Sequence, residues 1–270
     1  FTRETEQQVL HKIRDDEKQI DEIAKTAYHG NDFQFPLCKR RPLARLSVVT
    51  YLLIQKYDEY KKKGTPDSVI FDTFKDVALR ADIYCKKTGK AGLAKNDVIW
   101  FRHIMNVSIF KIGSLQFQPF NMIYLDEETI GEPYMTFTKE QKDALPEGSP
   151  VLNCHIQQRA DLNPESVAAS FRDARIFFSK SNPEEEYKAF LCYSWLLYPP
   201  MQEFLSDSSN IKQFAARFAI IGSCSDSEQA MENLFGHKAK KEYAANMTHL
   251  QKMALERPEQ FGFACGIINI

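Results

Sequence analysis

The sequence predicts an α+β protein, in which a helical N-terminal region precedes a mixed β-sheet with flanking helices. Apolar residues recur at helical spacing through the N-terminal part, and apolar and polar positions then begin to alternate near Ser108. A third observation is a short apolar run at 151–156, which leads through a polar loop into an amphipathic helix. We therefore expect a helical domain at 1–107 and a sheet domain at 108–270.

The N-terminal region divides into helices that are separated by polar turns. The first helix has one apolar face, and Gly30 and the two residues after it accept turn conformations. The lysine run at 61–63 forms a cationic last turn that complements the dipole of the second helix, which is a more common role than binding an anionic partner. The predicted helices are 4–28, 43–63, 66 to 82 or slightly beyond, and 96–105.

The sheet region begins with a β-hairpin pattern. Residues 108–124 alternate apolar and polar positions around Gly113, which would also suit a bulge. The helix after the polar loop has a clear start, because Asn163 is a good N-cap, Pro164 suits the first position and Glu165 suits the first turn. The remaining predicted strands are 135–137, 151–156, 190–197, 210–221 and 261–270, with a polar turn at 126–133 and further helices at 201–205, 227–234 and 244–255.

The composition narrows the class of protein. Hydrophobic residues make up 43% and charged residues 26% of the chain, a balance typical of soluble globular proteins. A formal net charge of −1 argues against a nucleic-acid partner and against polybasic attachment to a membrane. No apolar run reaches a membrane-spanning length, and we expect neither a membrane-spanning helix nor a signal peptide. The six cysteines lie far apart without a CxxC pair, which predicts reduced thiols in a cytoplasmic protein and no metal site.

The predicted helix start at Asn163 is a candidate anion site. Backbone N–H groups at a helix N-terminus favour negative charge, and Arg159 and the Ser166 hydroxyl would add a cation and a donor. The alternative is a helix start that binds nothing. Asn163 can cap the helix itself, Glu165 would repel a phosphate, and the loop lacks the glycines that let a backbone wrap a pyrophosphate.

Several short motifs of the sheet region occur together in a known family. The most specific motif is a run of cysteine, serine, tryptophan and two leucines inside 190–199. The motifs are Ile112-Gly113-x-Leu115-Gln116-Phe117, His155-Ile156, Leu162-Asn163-Pro164-Glu165, Phe190-x-Cys192-x-Ser194-Trp195-Leu196-Leu197-x-Pro199, Ser209-Asn210-Ile211-x-x-Phe214, Leu250-Gln251-Lys252 and Cys265-Gly266-Ile267-Ile268. Over nearly its whole length the chain resembles the acyltransferase-domain proteins of Gram-positive bacteria. These pair a helical N-terminal domain with a C-terminal domain similar to the GNAT (N-acetyltransferase) superfamily.

The resemblance implies a GNAT-like fold that binds acetyl-CoA or another acyl-CoA, without a metal. In such a fold one strand separates from its neighbour, the CoA arm lies in the gap, and the pyrophosphate lies on the following loop and helix N-terminus. The resemblance implies that the two separating strands correspond to residues 151–156 and 190–197 of this chain. The family's loop generally reads Arg/Gln-x-x-Gly-x-Gly/Ala, whereas this chain has Gln157-Gln158-Arg159-Ala160-Asp161-Leu162. The implied cofactor-binding residues are Cys154, Ile156, Arg159, Asn163 and Ser166.

Acyl transfer to an amine requires a base for the amine proton and an acid for the leaving thiolate. His155, at the end of its predicted strand, is the candidate base, and a hydrogen bond to a neighbouring strand is its alternative role. Tyr193 and Ser194 point to opposite faces of their strand, so one of them can face the thiolate, although such a tyrosine is more often a buried aromatic. Cys192 beside His155 could also serve as a thiol nucleophile, although core packing is the more common role of such a cysteine.

These residues support hypotheses of different classes. Gln116, Asn210 and Gln251 are the candidate substrate contacts, with a turn and a helix cap as the alternatives for the last two. The first hypothesis is a CoA-dependent N-acyltransferase that acts on a small amine or an amino group. The second is a GNAT-like binding or regulatory protein that has lost its catalytic loop, and a Cys-His hydrolase is a distant third. The missing loop glycines favour the second hypothesis, and the retained strand and tryptophan motif favour the first.

Overall fold

The computed structural model describes residues 2–29, 41–236 and 247–270. The chain folds as two compact units, residues 1–112 and 113–270. Helices dominate the first unit, and the second combines most of a mixed sheet with flanking helices, which confirms the predicted α+β class. No helix within the described ranges is both long enough and apolar enough to cross a membrane.

The N-terminal unit is built from helices, of which two are divided and one is longer than predicted. The helix predicted to end at 82 or slightly beyond continues to Thr88. The predicted helix at 4–28 is two helices, because Asp16 leaves the helical conformation (φ −113°, ψ 26°) and its carboxylate pairs with Lys12. The predicted helix at 96–105 is divided at Phe101. The predicted turn at 30–32 lies outside the described residues. The helices are α1 (Arg3–Asp15), α2 (Glu17–Thr26), α3 (Pro42–Lys62), α4 (Asp67–Thr88), α5 (Lys95–Trp100) and α6 (Arg102–Met105).

A buried carboxylate links α4 to α5 in this unit. The side chain of Asp76 is 1% exposed, and it accepts hydrogen bonds from Trp100 Nε1 at 3.0 Å and from Arg80 Nε at 3.2 Å. Arg80 also donates from Nη1 to Asp97 at 2.8 Å. A charged group out of water is stable only with such partners. The sequence pattern did not identify this network, because a carboxylate on a helix is usually a surface residue.

The sheet has six strands in the order β1-β2-β3-β4-β6-β5. β3 and β4 are parallel, and the pairs β2–β3, β4–β6 and β5–β6 are antiparallel. The strands are β1 (Phe110–Ile112), β2 (Leu115–Asn121), β3 (Pro150–His155), β4 (Ala189–Ser194), β5 (Ala219–Cys224) and β6 (Phe263–Asn269). The helices are α7 (Glu127–Ile130), α8 (Lys139–Ala144), α9 (Pro164–Ser181), α10 (Pro199–Glu203), α11 (Asn210–Ala215), α12 (Glu228–Phe235) and α13 (His249–Glu256).

The predicted strand at 210–221 is wrong over its first half. That half is helix α11, and β5 begins only at Ala219. Phe214 on this helix packs against Phe218, which lies just before β5, with their ring centroids 5.2 Å apart. The β-branched and aromatic composition of the segment therefore favoured a strand that the packing overrides.

The predicted strand at 190–197 ends earlier, at Ser194. Its hydroxyl accepts a hydrogen bond from the Leu196 N–H at 3.1 Å and so caps a 3₁₀ turn at Trp195–Leu197. The predicted strand at 135–137 is also absent from the described sheet, where Met135 N–H makes one bond to the Leu125 carbonyl (2.9 Å) instead of a ladder. The predicted turn at 126–133 contains α7, and the predicted helix at 244–255 corresponds to α13, with 244–246 outside the described residues.

Helix α9 begins where the capping residues predicted it. The Asn163 side chain accepts a hydrogen bond from Glu165 N–H at 3.0 Å, and Pro164 occupies the first turn. On its buried face the Phe171 ring meets Phe190 on β4 at 4.8 Å between centroids. This packing covers one face of the sheet, and the first turn of α9 lies at the end of the loop that follows β3.

The described cysteines are free thiols, as predicted. Cys154, Cys192 and Cys265 are buried in the sheet, and Cys85 and Cys224 are partly exposed. Cys38 lies outside the described residues.

The hairpin turn between β1 and β2 is held against α9 through Gly113. This residue has φ +62°, and a Cβ there would lie 2.4 Å from the Ser170 hydroxyl oxygen. That oxygen accepts a hydrogen bond from Ser114 N–H at 2.8 Å and donates one to the Ser166 carbonyl at 2.8 Å. A side chain at 113 would therefore both strain the backbone and displace a hydrogen-bonded serine.

We expect Gly113→Ala to lower the free energy of unfolding by about 2–3 kcal/mol, the sum of a left-handed backbone and lost hydrogen bonds. Gly148→Ala is the matched control, because Gly148 also has positive φ (+81°) but has nothing within 4 Å of its Cβ position. The control should lose only the backbone contribution of about 1 kcal/mol. Urea unfolding measures both, and equal losses would show that the contact with Ser170 adds nothing.

Candidate functional site

Strands β3 and β4 separate partway along their length. Their ladder pairs Val151 with Ala189, Leu152 with Phe190 and Asn153 with Leu191, and it then ends. Beyond that point β3 continues beside β2, and β4 continues beside β6. The two parallel strands therefore diverge at 154–156 and 192–194, and these segments form the edges of an opening in the sheet.

The two faces of the opening carry different chemistry. Side chains alternate along a strand, and Phe117 on β2 and Phe190 on β4 contact Phe171 of α9. Cys154, which pairs with Phe117, therefore points to the face that α9 covers, as do Cys192 and Ser194. The opposite face carries the predicted base and its neighbours, which are His155, Gln116, Gln118 and Tyr193.

The candidate base His155 is half-buried and bonded to a glutamine. Its Nε2 lies 3.0 Å from Gln118 Oε1 on the adjacent strand. A neutral imidazole donates from one ring nitrogen and accepts at the other, so the tautomer of His155 decides which role Nε2 has in this contact. Gln116, a predicted substrate contact, lies directly opposite His155 in the β2–β3 ladder and is 1% exposed. The structure thus brings Gln116 and His155 together.

The two candidate acids are both engaged in other contacts. The Tyr193 hydroxyl donates to the Ile123 carbonyl at 2.7 Å, and burial raises the pKa of Tyr193 above its usual range. Ser194 lies on the opposite face, 5% exposed, with its oxygen in the cap of the 3₁₀ turn. Of the two, Tyr193 shares a face with His155.

The buried thiols form a small cluster inside the sheet. A hydrogen bond with the Cys154 sulfur, together with burial, raises the pKa of Cys192 well above its usual value. Burial also raises the pKa of Cys265 to about 12. A thiol nucleophile must ionise, and Cys192 is fully buried on the face opposite to His155. The geometry therefore gives no support to a Cys-His hydrolase.

The start of α9 already holds a carboxylate. Asp161 Oδ1 accepts from Asn163 N–H at 2.9 Å, and Oδ2 accepts from the Ser166 hydroxyl at 2.7 Å. These two bonds lower the pKa of Asp161, so it is ionised at neutral pH. The predicted phosphate donor Ser166 is thus bonded to an anion in this structure.

Arg159 has a left-handed backbone, with φ +63°. The turn around it is closed by a bond from Ala160 N–H to the Gln157 carbonyl at 2.9 Å. A residue other than glycine in this region is strained, and such strain often occurs at functional loops. The loop thus turns at a residue with a cationic side chain, and it contains no glycine.

The remaining predicted residues make contacts of their own elsewhere in the fold. Ile156 packs against an apolar cluster that includes Trp195 and Leu196. Asn210 is the first residue of α11, and the Gln251 side chain bonds to Thr248 N–H at 2.9 Å and to the Leu234 carbonyl at 2.7 Å. None of these contacts involves His155, so the assignments of Asn210 and Gln251 as substrate contacts stay predictions.

Two residues of this region were not identified from the sequence. Gln118 could have been found from the period of two that places it on the same face as Gln116. Asp161 could have been found as an Asp two residues before a helix cap, a position that often bonds backbone N–H groups. Within the described residues, no group of three or more His, Cys, Asp or Glu side chains is arranged to hold a metal ion.

Solved structures of acyltransferases have this fold. A crystal structure of an acyltransferase in complex with decanoyl-CoA and teicoplanin has a TM-score of 0.66 at 19% sequence identity, covering 84% of this chain. A mutant acyltransferase in complex with octanoyl-CoA has a TM-score of 0.67 at 19% identity, again covering 84% of this chain. The chain spans 66% of the length of both. The chain, with its separating strand pair, thus has a GNAT-like acyltransferase fold.

The family assignment follows from the sequence match. Residues 109–268 match the GNAT-like C-terminal domain, and residues 3–107 match the N-acyltransferase N-terminal domain. The chain belongs to the GNAT-like C-terminal domain family, which confirms the resemblance predicted from its motifs. No protein of curated function matches the chain.

Proposed function

We propose that the chain is a CoA-dependent acyltransferase that moves an acyl group from acyl-CoA to the amino group of a small molecule. The observation that carries this proposal is the separation of β3 from β4 after the Asn153–Leu191 pair. A strand pair that opens in this way offers an edge along which an extended, amide-containing CoA arm can lie. We further propose that 1–107 and 108–270 are its two domains.

The chemistry at the opening requires few protein groups. The amine nitrogen attacks the thioester carbonyl carbon, the C–S bond breaks, and the amine proton passes to His155 directly or through one water. The leaving thiolate takes up a proton. Of the two candidate donors we assign this role to Tyr193, because it lies on the same face of the sheet as His155. Backbone N–H groups at the edge of the opening would polarise the thioester carbonyl. Positioning and proton transfer together suffice for acyl transfer between such substrates.

The acyl group and the acceptor are open to a direct test. The acyltransferases with this fold were solved with octanoyl-CoA, decanoyl-CoA and teicoplanin. A series from acetyl-CoA to decanoyl-CoA, combined with amines of different size, therefore samples the relevant range. The free thiols of the described residues fit a reducing compartment, and we propose a cytoplasmic protein.

The first measurement is thermal stabilisation by each acyl-CoA, followed by CoA release with each amine. A ligand at a hundred times its dissociation constant should add about 2.7 kcal/mol of stability. Stabilisation together with amine-dependent CoA release would support the enzyme. Stabilisation without release from any amine would instead support a GNAT-like binding or regulatory protein. If no acyl-CoA stabilises the chain and no amine causes CoA release, both proposals are contradicted.

The second candidate, a binding or regulatory protein, is favoured by one observation. The ionised Asp161 occupies the helix start where a pyrophosphate would lie, and the loop has no glycine. An anion beside a phosphate opposes its binding, so a chain that kept Asp161 would hold CoA weakly.

The charged residues of the loop predict opposite changes in acyl-CoA affinity for two substitutions. If a pyrophosphate lies at the start of α9, Asp161→Asn should tighten acyl-CoA binding roughly two- to fivefold at low salt, and Arg159→Glu should weaken it by at least as much. Isothermal titration calorimetry measures both dissociation constants. Asp143→Asn, an exposed carboxylate on α8 that pairs with Lys139, is the control and should change nothing. Unchanged affinities in both loop variants would place the cofactor elsewhere.

A further inference from the structure

A groove beside α9 is lined by arginine side chains. It lies on the sheet face that α9 covers and has a volume of about 450 Å³. Its lining residues are Ala168, Phe171, Arg172, Arg175, Arg217 and Ile268. Half of them are cationic, although the chain as a whole has a formal net charge of −1. The positive charge is therefore concentrated locally and does not reflect a basic protein.

Two of these guanidinium groups are held in place by backbone carbonyls. Arg175 Nη2 donates to the Asn269 carbonyl at 3.1 Å, and Arg217 Nη2 donates to the Pro164 carbonyl at 2.8 Å. An arginine side chain has five N–H donors, so each retains donors beyond these bonds. The ion pairs of the described residues include Arg172 with Asp173 at 3.1 Å, and include none for Arg175 or Arg217.

The floor of the groove is apolar. Phe171 is 7% exposed, and its ring contacts Phe190 at 4.8 Å and Phe218 at 5.9 Å between centroids. Ile268 and Ala168 complete this surface. A ring packed on two sides by other rings provides an apolar surface against which an apolar group can rest.

We propose that this groove is a binding site for a small organic dianion with an apolar body. Its anionic oxygens would pair with Arg175 and Arg217, and its apolar part would lie against Phe171 and Ile268. Guanidinium groups match phosphoryl and carboxylate oxygens through paired N–H donors, and like charges brought together are stabilised by such a ligand. The groove lies on the face of the sheet opposite to His155 and Gln118, and it borders the first turn of α9, where the proposed function places the CoA pyrophosphate, through the bond from Arg217 to the Pro164 carbonyl. The acyl-CoA affinity of the arginine variants therefore decides whether the two sites are separate.

The test uses the full chain at low ionic strength, with pyrophosphate and succinate as probes. Saturating probe should raise the Tm of the wild type by about 5 °C, and the effect should fall as salt is added, since the arginines are exposed. The double variant Arg175→Gln/Arg217→Gln should lose the rise. The charge-matched control Lys139→Gln/Lys180→Gln, which replaces two exposed lysines, should keep it. A rise with only one probe identifies the ligand as a phosphoryl or a carboxylate compound.

Three outcomes would overturn the proposal. The first is that neither probe raises the Tm of the wild type, and the second is that the arginine double variant responds as the control does. The third is that the double variant loses acyl-CoA affinity by more than about tenfold, which would make the groove part of the CoA site. An acyl-CoA dissociation constant within about twofold of the wild type supports a separate site. Arg217→Lys, which keeps the charge but removes the fork, should give an intermediate rise and does not depend on the double variant folding normally.

Discussion

Replacing His155 with alanine is expected to lower the rate of acyl transfer by about 10²- to 10⁴-fold, the usual contribution of a general base. Acyl-CoA binding should change little, since in the proposed site backbone groups hold most of the cofactor. The structure supports the role through the position of His155 at the edge of the opening and through its 3.0 Å contact with Gln118, which orients the ring. CoA release in single-turnover assays gives the rate, and calorimetry gives the affinity.

Controls separate the base from a structural histidine. His11→Ala removes a histidine whose side chain is 76% exposed on α1 and should leave both quantities unchanged. Gln118→Ala should slow transfer less than His155→Ala, because it loosens the ring without removing it. Tyr193→Phe should cost stability through the lost bond to the Ile123 carbonyl. Equal rates for the wild type and His155→Ala would remove this residue from the mechanism.

Asp76→Asn is expected to lower the free energy of unfolding by about 3 kcal/mol. The carboxylate is buried, and its charge balances Arg80, whose side chain is 22% exposed. Removing the charge leaves that guanidinium dependent on its ion pair with Asp97 at 2.8 Å and weakens the bond from Trp100. Urea unfolding followed by circular dichroism measures the loss.

The same helix provides the matched control for this prediction. Asp72 pairs with Lys75 at 2.7 Å, but their side chains are 46% and 73% exposed. Asp72→Asn should therefore cost at most about 0.5 kcal/mol, as expected for a surface ion pair. If Asp72→Asn and Asp76→Asn cost the same, burial is not what makes the α4–α5 network important.

The sequence by itself determined the features that depend on neighbouring residues. The start of α9 followed from Asn163 and Pro164, because capping is a contact within one turn. The hairpin at Gly113 and the α+β division followed from the change of hydrophobic period, which is also local. The family followed from motifs of the sheet region, which the match to 109–268 bears out.

Local composition failed where packing set the conformation. The segment at 210–221 is rich in residues that favour strands, yet its first half is helical, and Phe214 on that helix packs against Phe218 just before β5. Likewise the strand at 190–197 stops at Ser194, whose hydroxyl caps the next turn. Propensity is a weak prior for segments this short, and a few contacts reverse it.

Only the tertiary structure decided which distant side chains meet. The contact of His155 with Gln118 depends on the register of β2 and β3, and the opening depends on where the β3–β4 ladder ends, neither of which is encoded in one segment. The arginine groove joins α9 to Arg217, which lies far beyond Arg175 along the chain. Such sites arise because folding fixes one register and one packing, and these bring together residues whose spacing in the sequence carries no period.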